Sequence, residues 1–84
     1  MEQFFKAIEK IIADSGYPEK VSGEEIYEDI ISEIEDKENG SYIFMSKKSD
    51  DVYYEYRIQV YKDDFNLSSL VIHTKEKDWT VNFD

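Results

Sequence analysis

Seven carboxylates crowd thirteen residues of this chain: Glu24, Glu25, Glu28, Asp29, Glu33, Glu35 and Asp36. Over residues 24–38 the only base is Lys37. Carboxylates at this density could act as general acid and base, hold a cation, or present a negative face to a basic surface. Acid–base catalysis needs a cleft, and a chain of 84 residues with few pocket-forming elements leaves little room for one. The other acid pairs, Asp50-Asp51 and Asp63-Asp64, lack the alternating oxygen ligands and the glycine of a calcium loop. His73 is the single histidine and cysteine is absent, so nucleophilic catalysis would require a Ser-His-Asp set. Ser68 and Ser69 stand near His73 in sequence, but no strand-turn-helix nucleophile motif surrounds them. The three glycines form no phosphate loop. The expectation is a protein that binds and does not catalyse, with no metal and no cofactor.

Charge sets the class of partner. The formal net charge is −10, of which residues 1–41 contribute −8 and residues 42–84 only −2. Such a chain repels nucleic acid and anionic membranes and attracts basic proteins. Disorder is the usual consequence of high charge, but 40% hydrophobic and 15% aromatic content supply enough apolar surface for a core. No apolar run approaches a membrane span, and the first residues lack the basic and apolar regions of a signal peptide. With no cysteine, these features lead to the expectation of a single cytoplasmic domain, a monomer or weak homodimer.

The elements that must carry the acids are legible from periodicity. Phe4, Phe5, Ile8, Ile11 and Ile12 form one helical stripe over Glu2–Asp14, and Gly16 and Pro18 follow as stop signals. A second helix starts at Ser22, with Glu25 at capping-box spacing and Val21 and Ile26 at the positions of a hydrophobic staple. Ile26, Tyr27, Ile30, Ile31 and Ile34 make its apolar side, the acids cover about half its circumference at about 100° per residue, and Asn39-Gly40 ends it. Strands are expected at Tyr42–Lys47, Val52–Tyr61, Leu67–Thr74 and Trp79–Phe83. In the longest, Val52, Tyr54, Tyr56, Ile58 and Val60 alternate with Tyr53, Glu55, Arg57, Gln59 and Tyr61. Short connections demand antiparallel neighbours. The expected fold is α+β, with two N-terminal helices packed on one face of a four-stranded antiparallel meander, in the order α-α-β-β-β-β.

Two readings of the acidic face compete. It is a solvated surface that keeps the protein soluble, or it meets a basic partner. Acids at the helix C-terminal end each cost about 0.3–1 kcal/mol if exposed, and like charges four residues apart cost a few tenths more. A helix selected for stability alone would carry Lys there. Tyr53 and Tyr61, on the strand face opposite the core, either stiffen the sheet as cross-strand partners or join the acids in a protein interface.

Size, acidity and element order are similar to those of the uracil-DNA glycosylase inhibitor family, small acidic phage-encoded proteins that present carboxylates in place of DNA phosphates. The triplet Leu70-Val71-Ile72 resembles an apolar triplet in that family's last hairpin, and Ser22-Gly-Glu-Glu-Ile-Tyr-Glu-Asp-Ile-Ile31 is similar to acidic helices of functionally related inhibitors. The Glu-Ser-Ile edge motif of such inhibitors is absent, so no functional residue is carried over. The resemblance implies inhibition of a basic nucleic-acid-handling protein; from the chain's own charge and exposed aromatics, the expected contact residues are Glu24, Glu25, Glu28, Asp29, Glu33, Glu35, Asp36, Tyr53 and Tyr61. The chain also resembles small acidic immunity proteins that neutralise nuclease toxins. A third possibility is a housekeeping or mobile-element domain whose charge serves solubility alone.

Overall fold

In the computed structural model, which describes residues 2–62 and 64–83, the chain folds as α1 (Glu2–Asp14), α2 (Gly23–Ile34), β1 (Gly40–Ser49), β2 (Val52–Tyr61), β3 (Asp64–His73) and β4 (Asp78–Asn82). Asp63, half of the acid pair weighed above, lies outside the described residues. The sheet has the order β1-β2-β3-β4 and every pair is antiparallel. This is the α-α-β-β-β-β meander that the alternation and short connections require. β2 is internal and β1 and β4 are the edges.

Alternation in β2 decides which side the helices cover. Tyr54, Tyr56, Ile58 and Val60 are buried, whereas Tyr53, Arg57, Gln59 and Tyr61 are exposed on the opposite side. Ile8 and Ile12 of α1, Ile26 and Ile30 of α2, Leu67, Leu70 and Ile72 of β3 and Val81 of β4 complete the core. Ile26 and Ile30 are fully buried. Each buried isoleucine stabilises by about 1.5–3 kcal/mol, which outweighs the few tenths lost at each repelling acid pair. Apolar burial therefore holds α2 in place in spite of its charge.

The boundaries shift where pairing or charge overrides local pattern. β1 extends two residues beyond the expected Tyr42–Lys47 at each end, because its ladder with β2 runs from Gly40↔Val60 to Ser49↔Val52. β3 begins at Asp64 and not at Leu67, since Phe65 pairs with Val60. α2 ends at Ile34, well before Asn39-Gly40. Its last turn holds no base, and Glu35, Asp36 and Glu38 would add negative charge to a negative helix end. A bulge between Arg57 and Ile58 sets Ser69 opposite Arg57 and Leu67 opposite Ile58, so that both Leu67 and Leu70 reach the core.

The helices meet at Gly23. A Cβ there would lie 2.6 Å from Phe5 Cα, so only glycine lets the start of α2 touch the α1 backbone.

Candidate protein-binding surface

The start of α2 is fixed by three contacts. Ser22 Oγ accepts the Glu25 backbone N–H at 3.3 Å, Glu9 Oε2 of α1 accepts the Gly23 N–H at 2.8 Å, and Val21 and Ile26 are both buried. The expected capping box is thus half formed. Glu9 takes an N-terminal donor of α2, and the Glu25 side chain turns elsewhere.

It turns to Lys48. The Lys48 ammonium lies 3.0 Å from Glu25 Oε1 and donates to Asp29 Oδ2, which also accepts the Tyr56 hydroxyl at 2.6 Å. Burial pulls the Lys48 pKa down, but the bonds to Asp29 and Glu25 outweigh it and the net shift is upward. Burial, then the bond to Asp29, raises the Tyr56 hydroxyl far above its ordinary value, so it remains a donor. Tyr54 beside it is pushed up to about 12 by burial. Asp29 is therefore committed to an internal clamp between α2 and the sheet, with Glu25 as its outer partner. Glu33 pairs with Lys37 at 3.5 Å.

The remaining acids stand differently. Glu24, Glu28, Glu35 and Asp36 are exposed, and among the described residues none has a side-chain hydrogen bond or ion pair. Glu24, Glu28, Ile31 and Glu35 fall within about 60° of arc and make one line along the helix and its cap. Ile31, 36% exposed, interrupts that line. Beside it lies a groove of about 480 Å³ lined by Phe4, Tyr27, Ile31, Ile34, Val60 and Phe65, with Glu35, Lys37, Tyr61 and Asp64 around it. Phe4, Tyr27 and Phe65 meet edge-on or tilted, with ring centroids 5.8–6.1 Å apart. No known protein family, curated protein or solved structure matches this chain.

The groove was not foreseen from sequence. Its signals were Phe4, at the exposed rim of the α1 stripe, and Phe65, an aromatic residue between the expected strands Val52–Tyr61 and Leu67–Thr74. The two tyrosines separate. Tyr61 reaches the groove and donates to Gln59 Oε1 at 2.6 Å, while Tyr53 sits towards the other end of β2 on the uncovered face and joins no acid of α2. The seven acids of residues 24–36 thus divide into an inner set (Glu25, Asp29, Glu33) that shares two lysines and an outer set (Glu24, Glu28, Glu35, Asp36) with no cation bound among the described residues.

On the uncovered sheet face, His73 lies between two carboxylates. Its Nε2 is 3.0 Å from Glu55 Oε1 and its Nδ1 is 2.9 Å from Asp78 Oδ1. Arg57 donates to the second Glu55 oxygen through Nε at 3.2 Å and Nη2 at 3.1 Å. Only the imidazolium donates from both ring nitrogens. The bonds to Glu55 and then Asp78 accordingly raise the His73 pKa, and those from His73 and then Arg57 lower that of Glu55. Both ring nitrogens face carboxylates, and among the described residues no serine hydroxyl is bonded to His73. Among the described residues, no helix is long and apolar enough to cross a membrane.

Proposed function

We propose that this protein is a small cytoplasmic inhibitor that binds a basic nucleic-acid-handling protein, with a row of carboxylates occupying a groove that normally takes phosphates. The reading rests on one observation: Glu24, Glu28, Glu35 and Asp36 are exposed without a counter-charge among the described residues, next to an apolar groove, in a chain of net charge −10. Unpaired carboxylates keep their full field for a cationic partner. The adjoining groove offers desolvated contact, which charge at a wet rim does not. Long-range attraction would speed the encounter and make it salt-sensitive. The inner acids Glu25, Asp29 and Glu33 contribute by shaping the helix and adding field.

The direct test is uracil excision from a uracil-containing duplex by a uracil-DNA glycosylase, with and without the protein. Salt-stepped affinity capture from a bacterial lysate, with bound proteins identified by mass spectrometry, covers other basic targets. The expected result is stoichiometric inhibition, or one basic nucleic-acid-binding protein or nuclease toxin released at raised salt. The triple variant Glu24→Gln, Glu28→Gln, Glu35→Gln should lose that activity. Retention of full partner affinity by this variant would overturn the proposal.

A further inference from the structure

We infer that the outer edge of β1 is a strand-addition site for an extended segment of another protein in which cationic and apolar residues alternate. β1 is ten residues long and pairs only with β2, so along its other side the backbone donors and acceptors have no strand partner among the described residues. Native edges are blunted by proline, by inward charge or by strong bulges. From Gly40 to Ser46 this edge has none of them and no charged side chain; Lys47, Lys48 and the irregularity between Lys47 and Ser49 protect only its far end.

The chemistry on its two sides differs. On the uncovered side β1 presents Ile43 and Met45, 66% and 55% exposed, the two most exposed large apolar residues described. An added strand would set alternate side chains beside them, and only apolar ones would cover them. On the other side α2 lies over β1 and β2, as the bonds of Lys48 to Glu25 and Asp29 and of the Tyr56 hydroxyl to Asp29 require. Glu25, Asp29 and Glu33 fall on that flank of the helix by helical spacing. Among the described residues these three acids share two cations, Lys48 and Lys37, leaving the flank negative. The intervening side chains of an added strand would point at this flank, where Lys or Arg fits.

A second copy of β1 fits poorly. Antiparallel pairing about a two-fold axis places both helices on one side of a continuous sheet, so the two acidic flanks would face each other. The helix-side residues Tyr42, Phe44 and Ser46 of the copy bring no cation, and Lys48 is already engaged.

The inference does not depend on the outer acids Glu24, Glu28 and Glu35, and its test separates the two surfaces. The probe is an eight-residue capped peptide of alternating Lys and Val, compared with a peptide of four Lys followed by four Val. Binding is read from backbone amide shifts of isotope-labelled protein. The alternating peptide should bind about tenfold more tightly, because only it satisfies both sides of the strand at once. Its shifts should centre on residues 40–49. Ile43→Lys with Met45→Lys should remove that preference, and exposure of both positions leaves the fold intact. N-methylation of alternate peptide amides should abolish binding, whereas Glu24→Gln, Glu28→Gln, Glu35→Gln should leave it within about twofold, since long-range field alone is screened in salt. Equal affinity for both peptides, shifts centred on the outer face of α2, or a protein already dimeric through β1 would each overturn the inference.

Discussion

Asp29 and Glu28 are neighbours of like charge on one helix, yet their consequences are opposite. Asp29 Oδ2 accepts both the Lys48 ammonium and the Tyr56 hydroxyl under partial cover, while Glu28 faces water without a partner among the described residues. Asp29→Asn should lower unfolding free energy by about 1.5–3 kcal/mol, the range for charge-assisted hydrogen bonds lost under partial burial. Glu28→Gln should change it by no more than about 0.5 kcal/mol, and upward, because it relieves repulsion. Urea denaturation of the two variants side by side measures the difference. Equal effects would mean that the clamp is not formed in solution. Sequence could not separate the pair. Both are acids four or fewer residues from others, and nothing local to α2 announces that Lys48, nineteen positions after Asp29, folds back onto it.

At the scale of elements, the periodic parts were legible and the cross-element parts were not. The Val52–Tyr61 alternation and the isoleucine stripe of α2 declare their faces locally, since burial repeats at two or about 3.6 residues. The bulge after Arg57, the use of Glu9 as a cap for α2 and the Phe4–Tyr27–Phe65 groove each arise from segments remote in sequence. Gly23 shows how the balance falls. Alanine is better than glycine in a helix by about 1 kcal/mol, but here its Cβ would strike the Phe5 backbone, which cannot swing aside. Gly23→Ala should therefore cost a net amount of about 1–3 kcal/mol, read from thermal unfolding, and a gain in stability would mean that the helices do not touch at Gly23. The β2, β3 and β4 strands are also joined by charge through Glu55, His73 and Asp78, with Arg57 alongside. The His73 pKa is raised on folding, so its contribution is fully present below the unfolded value near 6.5 and is lost as pH rises through the higher folded value. The Glu55 pKa is lowered, so its contribution is present above the unfolded value near 4.5 and is lost as pH falls through the lower folded value. His73→Gln should accordingly destabilise most between about pH 5 and 6, by no more than about 1 kcal/mol because the network faces solvent, and have little effect near pH 9. Stability curves of the two proteins that run parallel across this range would contradict the network.

For the whole molecule, salt acts on folding and on partner binding with opposite signs. A chain of net charge −10 repels itself, and its outer carboxylates on α2 lack internal counter-ions among the described residues, so ions that screen charge stabilise the folded state. The same ions screen attraction to a basic partner and slow the encounter. Raising sodium chloride from about 0.05 to 0.5 M, which shortens the screening length to well under 10 Å, should raise the melting temperature while weakening capture of the partner. Glu24→Gln, Glu28→Gln, Glu35→Gln should flatten both responses together, raising low-salt stability and lowering affinity. A face kept only for solubility would give the first change without the second: the variant would melt higher, and every interaction of the native protein would survive. Melting curves and partner affinity measured across one salt series, for the two proteins in parallel, therefore distinguish a charge retained for binding from one retained for solubility.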